Sequence, residues 1–329
     1  MMTPLLQGAI AGLLSAVLFA AAGAADIPMA ARLPLFLLTP LPIALAGLGL
    51  GWRMGAVAGA VAAAGVFAAA GPRLALLFSA TDAVPIVALA YLALLNRPSP
   101  SARAVEWYPV GRLVIWTSVF AGALALLTLL MLGSDAETVR QTMRSLLEAF
   151  LKTQFPEGLA GADGQPLAAG DIDDLTAAML GIFPAFMAMS SMSGLLLTLW
   201  LSGRILLAAG RLERPWPDLA ALRYPRGTSL ALVPLMMAAL ALDGYPALAA
   251  AGFAGALFFA WVLAGLAILH YVTRGQAWRP FALWALYAAL LVMGWFLAPL
   301  AAMLGLVDAI VPLRRPPPSA PNPTSKNER

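Results

Sequence analysis

The sequence predicts an all-α protein: a polytopic transmembrane helical bundle of about ten spans, with an extracytoplasmic amphipathic helix after span 5. Three observations carry this. Of the 329 residues, 61% are hydrophobic and 11% are charged, against about a quarter charged in soluble domains. Apolar blocks of roughly 20 residues, the length that crosses a bilayer core, recur from end to end. The charges between the blocks are sorted. Eight of the 16 acidic residues (Asp135, Glu137, Glu148, Glu157, Asp163, Asp171, Asp173 and Asp174) fall in residues 134–174, and most arginines lie elsewhere. A β-barrel would alternate polar and apolar positions in segments of about 10 residues, and these blocks do not alternate.

Span 1 covers residues 5–25. Residues 20–25 look like a small-residue cleavage site, but residues 1–7 carry no positive charge and further spans follow at once, so the block is expected to be retained. Span 2, residues 33–50, contains Pro34, Pro40 and Pro42. Span 3 (54–70) is rich in Ala and Gly, and span 4 (74–95) follows closely. A polar stretch, 96–112, precedes span 5 (113–132), and the acidic segment comes next. Span 6 covers 175–201, a basic loop 204–228, span 7 the short block 229–242 and span 8 residues 245–272. The last block, 281–313, is too long for one ordinary span and tight for two. Folded back around Pro299 it gives ten spans; as one tilted span it gives nine.

Cytoplasmic loops collect Lys and Arg. With the N-terminus cytoplasmic and ten spans, fifteen basic residues face the cytoplasm and five the outside. The opposite orientation inverts the ratio. This predicts a multi-pass protein of the bacterial cytoplasmic (inner) membrane with both termini inside. Trp52, Trp107, Trp216 and Trp278 fall at the cytoplasmic boundary, as an aromatic belt does. The expected division is a membrane region 1–133 with spans 1–5, the extracytoplasmic segment 134–174, a membrane region 175–313 with spans 6–10, and a disordered cytoplasmic tail 314–329, rich in Pro, Ser and Asn.

Within the acidic segment, Val139, Met143, Leu146, Leu147, Phe150 and Leu151 recur at helical spacing, with Arg140, Arg144, Glu148 and Lys152 on another face. This is an amphipathic helix of about five turns, lying on the outer surface or capping the bundle. Residues 158–171 form a glycine-rich loop.

Composition removes several chemistries. Without cysteine there are no disulfides, thiolate metal sites or thiol nucleophiles. His270 is the sole histidine, too few for a histidine metal centre; it is expected to pack at the interface. No phosphate-binding loop occurs, and Lys152 and Lys326 are the only lysines, so any ATP-driven role needs a partner. No hydrolase or metalloprotease motif occurs, and Ser190, Ser191 and Ser193 read as helix-packing residues with no base placed to activate them. The net charge of +4 suits anionic lipid headgroups. Nucleic-acid binding would need a soluble basic fold that is not visible. No enzyme activity, cofactor, metal or catalytic residue is expected. The bilayer is the expected partner, with other membrane subunits, an ATPase and a small-molecule substrate as further candidates.

Two places carry a candidate solute or ion site. From Pro40 and Pro42 through Gly47, Gly51, Gly55 and Gly59, prolines free backbone carbonyls and glycines let helices approach. This describes a broken helix, a turn at Trp52–Arg53 and a closely packed partner helix. Broken spans recur at transporter sites, and close packing alone explains the same pattern. Asp82, beside Ser79 and Thr81, is the one acid well inside a span; such residues face a cavity or a partner. Gly51, Gly55, Gly59, Trp107, Arg204, His270 and Asp308 are candidate packing or interface residues. Arg204 snorkels from span 6, and Asp308 pairs with Arg314 or Arg315.

The 40–59 stretch resembles the helix 2–helix 3 junction of S components of energy-coupling-factor transporters, with Trp52 where that junction carries proline. A second resemblance covers most of the chain. Glu106-Trp107-Tyr108-Pro109, Gly111-Arg112, Gly203-Arg204, the run from Gly265 to His270, and the run from Gly305 to Asp308 before Arg314-Arg315 resemble the YybS-like family (domain of unknown function 2232) of bacterial inner-membrane proteins. That resemblance implies a transporter-like fold and location, and no activity.

The leading expectation is a non-enzymatic membrane protein that binds a solute or couples to energising subunits, with its site around residues 40–51 and Asp82. It requires a polar cavity reaching Asp82. The alternative is an envelope-assembly scaffold working through the outer helix and loop 204–228. A lipid-modifying enzyme, third, requires His270 and a carboxylate in one open cleft.

Overall fold

The computed structural model describes residues 2–24, 27–98, 105–155, 168–311 and 313–314. Residues 158–167 of the expected loop (158–171) and residues 315–329 of the expected tail (314–329) lie outside them. The chain packs as two units, Met1–Pro217 with Leu230–Phe258, and Asp218–Ser229 with Phe259–Arg329.

In the first unit, α1 (Pro4–Gly23) starts with Pro4 behind the N-cap Thr3, whose hydroxyl accepts the Leu6 N–H. After α2 (Met29–Leu38) the chain breaks at Thr39–Pro40 and resumes as α3 (Leu41–Gly49). Pro40 and Pro42 lack the N–H groups that would carry α2 through, so the broken span is a direct consequence of sequence. The chain then turns at Leu50–Gly51, where Gly51 has φ 92°, a conformation that L side chains avoid. Trp52 and Arg53, expected in that turn, are instead the first residues of α4 (Trp52–Phe78).

A π-helical turn (Ser79–Ala83) joins α4 to α5 (Val84–Leu94). Residues 52–94 count as one helical stretch of 43 residues, yet they double back. Gly71 is non-helical at φ 82° and is followed by Pro72. Beyond it, Ala83 and Val87 lie against Gly59, and the Tyr91 ring meets the Trp52 ring edge-on at 5.2 Å. Helix α1 runs parallel to the first arm: Gly8 meets Met54 and Val57, Gly12 meets Ala58, and Gly65 meets Ala16. The Phe19 and Phe78 rings meet at 5.2 Å. Fully buried Ile43, Ala58, Phe78, Ile86 and Leu89 form the centre of this packing.

A two-stranded ribbon, β1 (Asn96–Pro98) and β2 (Val105–Trp107), leads into α6 (Val110–Leu132), with Arg97 opposite Glu106 and Asn96 opposite Trp107. The amphipathic α7 (Ala136–Gln154) follows, then α8 (Ala169–Ala208). At 40 residues, α8 is about 60 Å long, well beyond a hydrocarbon core of about 30 Å. Helix α9 (Thr228–Ala241) and the first half of α10 (Gly244–Val272) complete the unit. Close approaches hold α6, α8 and α10 together: Gly122 faces Phe253, and Gly252 and Gly255 face Pro184 and Ala185.

In the second unit, the rest of α10 packs on α11 (Arg279–Ile310), with Gly265 against Ala301 and Gly305 against Trp261. Helix α11 bends by 119° between Arg279–Gly294 and Phe296–Ile310. The break sits at Met293, with φ −122° and ψ 25°, rather than at the expected Pro299, which lies inside the second arm. Among the described residues, six helices are long and apolar enough to cross a membrane, or seven with the bent pair as one span. Expected spans 3 and 4 correspond to the two arms of the α4–α5 hairpin, divided at Gly71. Expected span 7 is a 14-residue helix, about 21 Å long and short of a bilayer core.

Candidate functional site

The expected solute site begins at the α2–α3 break. Breaking a helix leaves carbonyls without amide partners, and in apolar surroundings each must be satisfied from elsewhere. Here the protein does so itself. The Ser15 hydroxyl of α1 donates to the Thr39 carbonyl at 2.6 Å, and the Thr39 hydroxyl donates to the Leu35 carbonyl at 3.0 Å. Ser15 and Thr39 are both fully buried, and Pro42 and Gly47 are buried beside them. A Cβ on Gly55 would lie 2.8 Å from the Gly47 Cα, so these glycines serve helix contact.

Asp82 sits in the π-helical turn and is 5% exposed. The Thr81 hydroxyl lies 2.6 Å from Asp82 Oδ2 and 3.0 Å from the Leu77 carbonyl, and the Ser79 hydroxyl donates to the Ala75 carbonyl at 2.7 Å. All three side chains are thus engaged locally. The adjacent groove, about 550 Å³, runs between the arms of the α4–α5 hairpin. Ser79 lines it, Asp82 does not, and the other walls are Ala, Gly, Val, Trp and Tyr. Ser79 apart, its lining is apolar.

The remaining candidates resolve one by one. Gly51 provides the turn and Gly59 the hairpin contact. Trp107 closes β2, half-buried. The Arg204 guanidinium lies over the Trp216 ring at 5.3 Å. His270 Nε2 is 2.8 Å from the Tyr287 hydroxyl, an aromatic pair with no carboxylate in it. Asp308 pairs with Arg314 at 2.5 Å, both sides 4% exposed, and also accepts the Leu313 N–H at 2.9 Å. Arg314 reaches the Ala220 carbonyl at 3.0 Å, which ties α11's end to the segment 219–221. Among the described residues no group of three His, Asp or Glu side chains could hold a metal ion.

The family model for predicted membrane proteins of the DUF2232 type matches residues 13–309, most of the chain. The chain belongs to this family. No curated protein and no solved structure matches it. Family membership and the apolar helices together make this DUF2232 member an integral, multi-pass membrane protein.

Sequence reasoning missed three anchors in this DUF2232 chain. Ser15 is one serine in an apolar run, with no local pattern to tie it to Thr39. Arg214 donates to the Ala93 and Tyr108 carbonyls at 3.0 and 2.8 Å, a contact across more than a hundred residues. The Tyr224 hydroxyl donates to the Ala260 carbonyl at 2.5 Å. Only the basic character of loop 204–228 pointed towards the last two.

Proposed function

We propose that this protein is a non-enzymatic scaffold of the bacterial inner membrane that docks an envelope or membrane subunit through α7. One observation carries the reading. The apolar stripe of α7 is pinned along its first turns and bare along its later ones. Val139 and Met143 are buried, and Arg144 and Arg140 reach Asp173 of α8 at 3.0 and 3.7 Å. Leu146 and Phe150, one turn apart, remain 56% and 57% exposed. An apolar face held rigid outside the spans is a surface for a partner. The ten-span, N-in and C-in arrangement goes with this reading: it takes both hairpin arms, α9 and both arms of the bent helix as spans, and it puts α7 outside.

A photoreactive residue in place of Phe150 is expected to give a discrete protein adduct in intact cells. Leu146→Asp should abolish the adduct, and Asp82→Asn should leave it unchanged. Adducts to lipid alone, or none, would overturn the proposal. A second reading, solute coupling like that of energy-coupling-factor S components, is favoured by the π-helical turn at Asp82, since such turns recur at functional sites. It would show as a small molecule that stays with the wild-type protein through purification and is lost in Asp82→Asn.

A further inference from the structure

The groove between the α4–α5 arms has a feature that close packing does not require: a charged, aromatic mouth at one end. Trp52 and Tyr91 form it, with rings 5.2 Å apart and both about 40% exposed. The exposed Arg53 guanidinium lies over the Trp52 ring at 5.9 Å. The same point is the N-terminus of α4, where Gly51 offers no side-chain cap. The Met54 and Gly55 amides donate to the Gly51 carbonyl, which leaves those of Trp52 and Arg53 at the helix end; these and the adjacent guanidinium favour an anion. Below the mouth, Ala60, Ala63, Val84 and Val87 make apolar walls.

Length identifies the occupant. From Trp52 to Ala63 the groove follows α4 for about 16 Å at 1.5 Å per residue. Half of a bilayer core of about 30 Å is about 15 Å. The slot therefore serves one leaflet. A partner helix crossing the membrane would need contact over twice that length. We propose that the groove binds one anionic phospholipid, with an acyl chain between the hairpin arms and its phosphate at Arg53 and the first amides of α4. Trp and Tyr at the mouth match the headgroup level, where their amphipathic rings are favoured.

The full chain, reconstituted in vesicles of equal parts phosphatidylglycerol and phosphatidylcholine and then extracted in mild detergent, is examined by native mass spectrometry. Wild type is expected to retain phosphatidylglycerol in preference to phosphatidylcholine. Ala60→Phe fills the slot and should reduce the retained phosphatidylglycerol about tenfold, as when about two methylene groups are kept from apolar contact. Arg53→Gln should keep lipid but lose the preference for the anionic headgroup. If Ala60→Phe fails to fold, Val84→Trp, at a position 58% exposed, blocks the same slot. Equal retention in the blocked and wild-type proteins would mean unselective boundary lipid and overturn the proposal. So would a protein, rather than lipid, recovered by crosslinking from Ala60.

Discussion

At the scale of single residues, the prolines were legible and their remedy was not. Pro40 and Pro42 announce a broken span, because neither can donate the amide that α2 needs to continue. The group that repairs the break, Ser15, lies 24 residues earlier, and serine in an apolar helix gives no sign of its partner. Removing it tests the account. Ser15→Ala leaves the Thr39 carbonyl buried without a donor, at a cost of about 1–3 kcal/mol. Thermal unfolding in detergent should show a lowered Tm for Ser15→Ala and a near-normal one for Ser15→Thr, which keeps the hydroxyl. The same chemistry recurs at the second candidate position. Asp82, Thr81 and Ser79 were recognisable as polar groups inside a span. Their engagement with one another and with the Leu77 and Ala75 carbonyls depends on the π-helical turn, which no sequence period marks.

At the scale of elements, α7 shows both what periodicity reveals and where it stops. Apolar residues three and four apart placed the helix correctly, but one apolar stripe serves two purposes. Its first turns bury Val139 and Met143 against the bundle, and its later turns present Leu146 and Phe150. What decides this is Asp173, in the first turns of α8 and so outside α7 altogether, and the pattern within α7 could not show it. The start of α7 is also held electrostatically. The Asp135 carboxylate caps it, accepting the Thr138 N–H at 2.8 Å, which lowers its pKa. Glu137 is lowered from its ordinary 4.5 to about 2, first by its bonds to Arg140 and then by Gln141. For acids with depressed folded-state values, the stabilising contribution is complete above the ordinary pKa and is lost as pH falls towards the lower one. A nitroxide at Ser145 should therefore show constant mobility from about pH 8 to about 5 and rising mobility between about 4.5 and about 2. Arg140→Gln should raise the lower end of that window towards the ordinary carboxylate value and shrink the pH-dependent change; an unchanged profile would remove the claim.

At the scale of the whole molecule, charge sorting can be traced in the folded first unit rather than counted along the sequence. The ends of α3 and α5 and the C-terminal part of α8 meet in one cluster: Leu48, Ala90, Ala93 and Leu206 are buried together, with Leu113 of α6 and Leu212 against them. Around that end lie Arg53, Arg97, Arg112, Arg204, Arg211 and Arg214, against Glu106 and Glu213. Because α1 runs parallel to the first arm of α4, the N-terminus lies at this end too. The opposite end carries α7, the start of α8 and seven described acids against five basic residues. Such polarity is the imprint expected when the basic end stays in the cytoplasm. A chain without cysteine allows a direct test, since any introduced thiol is the sole target. In intact cells a membrane-impermeant maleimide should label Glu148→Cys and leave Arg211→Cys and Lys326→Cys unlabelled until the membrane is opened. Labelling of Arg211→Cys and protection of Glu148→Cys would invert the molecule. The α7 face would then be cytoplasmic, and the groove mouth at Trp52 and Arg53 would meet the outer leaflet. Labelling of both would mean that charge does not set sidedness here, so one experiment bears on the orientation, the docking face and the leaflet from which lipid enters.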